Sequence, residues 1–394
     1  MFAKRTNWNF TPNRLSEVLS ANRAAGKLLL DLTVSNPTEC GFEYDRSAIL
    51  NALGNPAALS YEPDPRGLEF ARRAVAGYYA GRKEEVSAED IFLTTSTSEA
   101  YSYVFRTLCD PGDEVLIPSP SYPLFDFLAD IQDVSLVRYP LDYFTRDREA
   151  VNDHGWQIDF HALEQAITPR TRGVIVVHPN NPTGHFAKQA EIAKLNSICS
   201  AREIALIADE VFLDFTLEEN RPASFAANRG APTFTLSGLS KISGLPQMKA
   251  AWLIAGGPPQ WKSEAVARLE VIADTYLSVN ATVQLAIPSF LEQRHAFQEQ
   301  VISRVRRNLA ELDRQLAAQK TSSRLIVEGG WCAVLRVPAT RSDEDLAIEL
   351  LTTQGVSVHP GHFYEFPSDG YLVASLITPE RTFSEGIGRL LSFF

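Results

Sequence analysis

Cysteine is scarce in this sequence, and the cysteines that occur lie far apart. Only four are present among 394 residues, with no CxxC spacing and too low a density for a disulfide scaffold. Long apolar runs are also missing: no stretch of about 18 apolar residues occurs, and the N-terminal MFAKRTNWNFTPNRLSEVLS contains no signal-peptide core. These absences predict a cytoplasmic protein with reduced thiols and no membrane partner.

Positive charge is in deficit too. The formal net charge is -11 and no run of five or more Lys or Arg residues occurs, which argues against nucleic acid as a partner. No GxGxxG follows an apolar strand, and neither a GxxxxGK[ST] loop, an HExxH motif nor a Cys/His cluster is found, so no metal site is predicted. The composition is 45% hydrophobic, enough for a large core in two domains or in one domain with a lobe.

What the sequence does contain is an alternation of helical stretches and short apolar runs between about Glu69 and Phe215. The runs DEVLIPS, RGVIVVHP and IALIADE each end in a polar or Gly/Pro turn, a pattern typical of parallel strands buried on both faces and joined by crossover helices. Two further runs, APTFTLSGLS and AAWLIAGG, flank Lys241, and the central sheet is predicted to end near Gly257.

The remaining sequence predicts a second, smaller domain. Gln260 to Arg324 has the pattern of one long amphipathic helix, and GGWCAVLRVP begins a strand-helix-strand-strand-helix lobe that closes the chain. We therefore expect a large domain over residues 46–280 and a small domain formed by residues 1–45 together with 281–394.

Three predicted strands end next to residues whose side chains can take part in chemistry. Asn181 follows RGVIVVHP, Asp209 ends IALIADE, and Lys241 follows the next strand, at spacings of 28 and 32 residues that each fit one strand-crossover-strand step. In an open parallel sheet, ligands bind in the crevice beyond the carboxyl ends of the strands. The three side chains are therefore expected to face one small molecule.

The motifs NNPTG, ADEVF and SGLSK, in this order and spacing, resemble the class I/II aminotransferases, which are pyridoxal 5'-phosphate (PLP) enzymes of fold type I. The resemblance runs from about Ser35 to Ile387. It implies an α/β fold, aspartate-aminotransferase-like, with a mostly parallel seven-stranded-type sheet flanked by helices and a small α+β domain. It also implies a Schiff base between PLP and Lys241.

The resemblance assigns further roles around the coenzyme ring. Asp209 would pair with the pyridinium nitrogen, and Asn181 would hydrogen-bond the phenolic oxygen. Tyr122, in PSPSYPLF, matches the aromatic residue that stacks on the ring. A helix N-cap for Asp209 and loop packing for Tyr122 are the structural alternatives.

Other residues are expected at the coenzyme phosphate. Thr97 and Ser98 stand at a predicted helix start, where backbone N–H groups bind anions. The family's serine three residues before the lysine is replaced by Gly238, which leaves Ser237 and Ser240 as substitutes, and Lys249 occupies the place of an arginine. Tyr61 resembles the tyrosine that reaches the phosphate of a neighbouring subunit, so a homodimer is implied.

Two departures concern the ring and the substrate. Phe212 replaces a tyrosine that donates to the phenolic oxygen, and Val373 aligns with the arginine that binds the substrate carboxylate. Arg14, Arg66 and Arg336 are candidates to replace that arginine, and the sequence does not rank them.

His178, His359 and His362 are interpreted as loop or packing residues. The turn His359-Pro360-Gly361 also resembles a family turn near the substrate entrance, which would bring His362 and Phe363 to the pocket.

These residues are compatible with three alternative functions. The first is an aminotransferase moving an amino group between an amino donor and a 2-oxo acid. The second is another PLP reaction on the same fold, such as C–S β-elimination, decarboxylation or a step in specialised amino-acid biosynthesis. The third is a PLP-binding protein without turnover.

Overall fold

The computed structural model describes residues 2–145, 154–219 and 221–394. Within those residues the chain forms fourteen strands and twelve α-helices. The strands are β1 (Leu30–Asp31), β2 (Ile91–Thr94), β3 (Glu114–Ser119), β4 (Ser135–Thr145), β5 (His154–Ile158), β6 (Thr171–Val177), β7 (Ala205–Asp209), β8 (Thr233–Gly238), β9 (Ala251–Gly256), β10 (Ser323–Arg324), β11 (Cys332–Arg336), β12 (Val356–Ser357), β13 (His359–Pro360) and β14 (Tyr371–Ser375). The helices are α1 (Arg14–Ala24), α2 (Arg46–Leu53), α3 (Glu69–Ala80), α4 (Thr97–Leu108), α5 (Phe125–Asp130), α6 (Phe160–Ala166), α7 (Gln189–Arg202), α8 (Leu239–Ile242), α9 (Pro259–Tyr276), α10 (Ala281–Leu316), α11 (Asp343–Glu349) and α12 (Glu380–Ser392).

The large sheet has the strand order β2-β9-β8-β7-β6-β3-β4-β5. Its five strands β8, β7, β6, β3 and β4 run parallel, whereas β9 is antiparallel to both of its neighbours and β5 is antiparallel to β4. The mostly parallel sheet is therefore confirmed, with β5 added as an eighth edge strand. The five apolar runs identified in the sequence form β3, β6, β7, β8 and β9, and the last ends at Gly256.

Helices cover both faces of this sheet, which explains why its strands are continuously apolar. One face packs in a core with α4 and α9, through side chains such as Tyr101 and Leu269. The other face packs in a core with α7, through side chains such as Leu195. A third core joins α3 and the start of α10 to β2, α8 and β9. The carboxyl ends of the parallel strands therefore lie along one edge of a sheet that is packed between two layers of helices.

The small domain is built on a four-stranded antiparallel sheet of order β10-β11-β14-β13. The N-terminal segment joins it, because β1 pairs in parallel with β12. This arrangement agrees with the expected α+β lobe, and the division into residues 46–280 and 1–45 plus 281–394 stays a prediction. Helix α10 serves both sides: its Ala286–Leu291 part shares a core with α3, while its Phe297–Leu312 part shares one with the small domain.

The expectation of one long helix between Gln260 and Arg324 is wrong. The segment forms two helices, α9 and α10, separated by residues 277–280. Leu277 adopts φ 67°, which ends α9, and Asn280 caps α10 by accepting a hydrogen bond from the Val283 amide.

Across the described residues, no helix is both long and apolar enough to cross a membrane.

Candidate functional site

A cavity of about 450 Å³ opens where the parallel strands end. Val177, Asp209 and Gly238, the last residues of β6, β7 and β8, line it together with residues of the following turns. Seven of the residues selected from the sequence meet there: Thr97, Ser98, Tyr122, Asn181, Asp209, Ser240 and Lys241. The crevice at the carboxyl edge of the sheet is therefore the candidate site.

Lys241 lies on the short helix α8, directly after β8. Its Nζ is 5.0 Å from the ring centroid of Trp331 and 5.5 Å from that of Phe212. Among the described residues no carboxylate forms an ion pair with it. Burial lowers the pKa of Lys241 because the charged form is poorly solvated beside these rings. The residue therefore offers a partly desolvated amine, which suits nucleophilic attack and proton transfer.

Asp209 is buried at the end of β7, with only 8% of its surface exposed. The Tyr101 hydroxyl donates to one carboxylate oxygen at 3.0 Å, and the Val211 amide donates to the other at 3.1 Å. Burial raises the pKa of Asp209 to about 6, although these two donors and the charge of Lys241 oppose the shift. No cation among the described residues pairs with this carboxylate. A positively charged group of a ligand would supply the missing partner.

Tyr101 was not identified from the sequence, although a signal was present. It follows Thr97 by four residues on α4, so both side chains lie on the same helix face. Tyr101 lines the cavity, and its hydroxyl holds the Asp209 carboxylate in place through this hydrogen bond.

Asn181 lines the cavity after β6. The thiol of Cys332 donates to its Oδ1 at 3.7 Å, which orients the side-chain amide. Its Nδ2 has no hydrogen-bond partner among the described residues. The amide N–H groups of Asn181 are therefore available to an acceptor atom of a ligand.

The N-terminus of α4 forms another part of the wall. Ser96 caps the helix by accepting a hydrogen bond from the Glu99 amide at 3.1 Å, and Thr97 and Ser98 follow it along the cavity. The first N–H groups of a helix have no acceptor within the helix and carry the positive end of its dipole. With Ser240, this turn forms a region that suits an anion.

The glycine that replaces the family's serine is required by packing. A Cβ on Gly238 would lie 2.7 Å from Cβ of Ala251, the first residue of the neighbouring strand β9, and 3.1 Å from the carbonyl oxygen of the preceding Ala250. Of the two substitute serines, Ser240 lines the cavity, whereas Ser237 donates its hydroxyl to the Glu210 carbonyl and lies outside the lining.

We expect Gly238→Ala to lower the free energy of unfolding by about 1–3 kcal/mol, because the added methyl group overpacks the contact between β8 and β9. Gly77→Ala is the matched control: Gly77 lies on α3 and a Cβ there meets nothing within 4 Å. That change should stabilise the protein by roughly 0.5–1 kcal/mol through helix propensity. Urea denaturation of both variants measures the difference, and equal effects would contradict the steric explanation.

The remaining predicted residues differ in position. Tyr122 lines the cavity with 46% of its surface exposed, as a ring open to a stacking partner. Lys249 is exposed and lies outside the cavity lining. Tyr61 is 74% exposed and lines a separate depression beside Phe70 and Leu285. The roles of Lys249 and Tyr61 stay predictions.

The small domain and the N-terminal segment complete the cavity. They contribute Trp331, Cys332, His359, Tyr364, Val373 and Ser375, together with Thr33 and Ser35. Ser375 donates its hydroxyl to the Val34 carbonyl at 2.5 Å, which ties the N-terminal segment to β14. His359, on β13, lines the site as well as packing against Tyr364, whereas His362 and Phe363, which the resemblance would bring to the pocket, lie outside the lining.

None of the three candidate arginines lines the cavity. Arg14 pairs with Asp345 at 2.9 Å, and Arg66 pairs with Glu89 and Glu270. Arg336 lies over the ring of Tyr371. All three side chains are engaged outside the cavity. None of these candidates therefore replaces, within the cavity lining, the carboxylate-binding arginine that is absent at Val373.

Comparison with known proteins agrees with this geometry. The family model "Aminotransferase class I and II" matches residues 46–382. The chain belongs to this family. The resemblance stated from the three motifs is thereby confirmed, and the match covers most of the chain.

Two named relatives are similar to this chain, each at less than 30% sequence identity. The glutamate-pyruvate aminotransferase AlaA of Escherichia coli K12 is 29% identical over 271 residues, which cover 68% of this chain and 64% of that protein. The aligned part thus spans less than two thirds of the AlaA sequence. The alanine aminotransferase of Mycobacterium tuberculosis H37Rv is 28% identical over 390 residues, covering 94% of this chain and 86% of that one.

Solved structures share the fold. The alanine aminotransferase from Pyrococcus furiosus superposes with a TM-score of 0.86 at 21% identity, covering 100% of this chain and 99% of that chain. An aspartate aminotransferase from Thermus thermophilus, in complex with maleate, gives a TM-score of 0.83 at 22% identity and 100% coverage of both chains. The aspartate-aminotransferase-like fold is therefore confirmed.

Proposed function

We propose that this protein is a PLP-dependent aminotransferase that moves an amino group between an amino donor and a 2-oxo acid, with Lys241 as the residue that binds the coenzyme covalently. The observation that carries the proposal is the meeting of Lys241, Asp209 and Asn181 in one cavity at the carboxyl edge of the sheet. Membership of the class I and II family supports it.

The side chains present fit PLP. Asp209 is a buried carboxylate without a cationic partner among the described residues, which suits a protonated ring nitrogen. Asn181 has a free amide for the ring oxygen, and Lys241 has an amine without an acceptor among the described residues. The α4 N-terminus and Ser240 suit the phosphate, and Tyr122 offers a ring for stacking. Lys249 would add positive charge beside the phosphate if its side chain turns inward.

When bound, PLP supplies an electron sink for the bond-breaking step at the amino-bearing carbon. Asp209 would hold the ring nitrogen in its protonated form, because a buried carboxylate stabilises a neighbouring cation. Lys241 would accept the proton of the amino-bearing carbon and donate it again, a role that its lowered pKa supports. The rings of Trp331 and Phe212 lie beside the amine and would limit its hydration. These residues account for both halves of an amino-group transfer.

We also place the protein in the cytoplasm as a homodimer. Leu59, Tyr61, Phe70 and Leu277 are large apolar side chains that are 59–94% exposed. Tyr61 and Phe70 share one depression with residues 278–281. Exposed apolar surface of this kind is typical of a subunit interface. Tyr61 would then extend toward the phosphate site of the second subunit.

The test is conversion by donor alone. Purified protein loaded with PLP is mixed with single amino donors, and the visible spectrum and the released oxo product are measured without any acceptor. An aminotransferase converts its coenzyme to the pyridoxamine form once per site and then stops. Continuous release of oxo acid and ammonia would identify an eliminating enzyme instead, and loss of CO₂ a decarboxylase. No change with any donor would contradict the proposal.

A further inference from the structure

The small-domain part of the cavity wall contains a pair of facing residues. His359 on β13 and Val373 on β14 are register partners in the antiparallel sheet. Directly opposite residues of neighbouring strands project to the same face, and both residues line the cavity. Val373 is 1% exposed and offers only methyl groups. His359 is therefore the member of the pair that can form a hydrogen bond.

The cavity lining has few charges to offer a substrate. Apart from His359, Lys241 is the one cationic side chain and Asp209 the one anionic side chain among the described residues that line it. Both are required for the coenzyme in the proposed function. A substrate carboxylate entering this region would therefore meet no guanidinium from the lining. A carboxylate left without a donor in a desolvated site is costly.

The imidazole of His359 is held in place on one side only. Its Nδ1 lies 3.0 Å from the Tyr364 hydroxyl. Tyr364 is buried and is itself fixed, because its carbonyl oxygen accepts a hydrogen bond from the Ser121 amide at 2.9 Å. Nε2 has no hydrogen-bond partner among the described residues. When the tyrosine hydroxyl donates to Nδ1, the ring proton resides on Nε2 and is available to a ligand.

We propose that His359 is a substrate-binding residue of this cavity, and that its Nε2–H donates a hydrogen bond to the carboxylate of the amino donor and of the 2-oxo acid. It does so in place of an arginine at position 373. One imidazole bond lacks the two parallel bonds of a guanidinium fork. Carboxylate-bearing substrates should therefore be preferred over their carboxylate-free analogues by about 10- to 100-fold, the contribution of one hydrogen bond to a charged group.

This inference rests on the proposed function, and its test separates the two. His359→Phe retains a ring of similar size and removes both nitrogens. His362→Phe is the matched control, because His362 lies three residues away, is exposed and is outside the cavity lining. Tyr364→Phe is a second variant that leaves His359 in place and removes only the hydroxyl that holds Nδ1.

The kinetic measurement compares an α-amino acid with the primary amine that has the same side chain and no carboxylate. For PLP-loaded His359→Phe we expect kcat/KM for the amino acid to fall about 10- to 100-fold, mainly through KM, while the value for the amine stays within about threefold. Tyr364→Phe should show a smaller loss in the same direction. His362→Phe should match the unaltered protein. Equal losses for amino acid and amine, or no loss for either, would overturn the assignment.

A binding measurement does not depend on turnover. Propionate and propionamide, which have no amine and do not react, are titrated calorimetrically into the PLP-loaded protein. The unaltered protein should bind propionate about tenfold or more tightly than propionamide, and His359→Phe should lose that preference. If the preference is lost but no donor is ever converted, the recognition role stands and the aminotransferase function fails. If donors are converted while the preference survives in His359→Phe, the recognition role fails and the function stands.

Discussion

Lys241→Ala is expected to abolish covalent attachment of the coenzyme and to lower donor conversion on the order of 10³-fold or more. The variant loses the nucleophile and the proton-transferring group together, and general acid–base catalysis by one positioned group contributes about 10²–10⁴-fold. Noncovalent PLP binding should persist, because Asp209, Asn181 and the α4 N-terminus remain. Visible spectra and single-turnover rates of the variant measure both effects.

Two controls sharpen this expectation. Lys241→Arg keeps a positive charge but removes the amine, so it should be as inactive as the alanine variant. Lys320→Ala removes an exposed lysine that follows α10 and should leave both spectrum and rate unchanged. Turnover of Lys241→Ala at the rate of the unaltered protein would contradict the role given to Lys241.

Asp209→Asn is expected to reduce turnover on the order of 10²-fold while stabilising the coenzyme-free protein. The amide keeps an acceptor for the Val211 amide and a partner for the Tyr101 hydroxyl, but it no longer stabilises a protonated ring nitrogen. A carboxylate buried without a cation costs free energy in the folded state, and asparagine does not carry that cost.

The stabilisation should depend on pH in a defined direction. Burial raises the pKa of Asp209 from 3.8 to about 6, so folding favours the protonated carboxyl. The coenzyme-free protein should therefore lose stability as pH rises through the interval between about 4 and about 6. The limiting loss is roughly 3 kcal/mol at about 1.4 kcal/mol per pKa unit, of which roughly 2 kcal/mol falls between pH 4.5 and pH 8. Asp209→Asn should not show this loss. Urea denaturation at pH 4.5 and pH 8 measures it, and an equal difference between the two proteins at both pH values would contradict the explanation.

Bound PLP should reverse the ranking of these two proteins. The protonated ring nitrogen supplies the cation that Asp209 lacks, so PLP should stabilise the unaltered protein more than Asp209→Asn at pH 8. Thermal unfolding with and without PLP tests this reversal.

The sequence predicted the part of the site that depends on local pattern. Asn181, Asp209 and Lys241 each follow an apolar strand, and parallel strands present their carboxyl ends on one edge, so strand order alone brings these residues together. Helical spacing places Tyr101 on the same helix face as Thr97, but that spacing alone does not indicate its role. It was missed because its role depends on a contact with Asp209 over 108 positions of the chain.

The rest of the wall depends on register between distant segments. His359 reaches the cavity because β13 pairs with β14 at Val373, and a shift of one residue would turn its side chain to the other face. Thr33 and Ser35 arrive there because β1 pairs with β12, more than 300 residues later. The reason for Gly238 lies in its contact with Ala251 on the neighbouring strand. No local pattern in the sequence specifies these pairings.

The split between α9 and α10 has a similar origin. Both segments have helical periodicity, and neither glycine nor proline separates them at residues 277–280. Leu277 adopts positive φ there, a conformation that its residue type does not favour. Val279 is buried in the core with α3, so tertiary packing sets the break.

The most direct test of the central claim is to identify the lysine that binds the coenzyme. PLP-loaded protein is treated with borohydride, which makes the covalent link permanent, and is then digested and mapped by mass spectrometry. We predict one modified peptide, the one that contains Lys241, at a stoichiometry approaching one per chain. Modification centred on Lys249 or another lysine, with Lys241 unmodified, would contradict the assignment of this cavity as the coenzyme site.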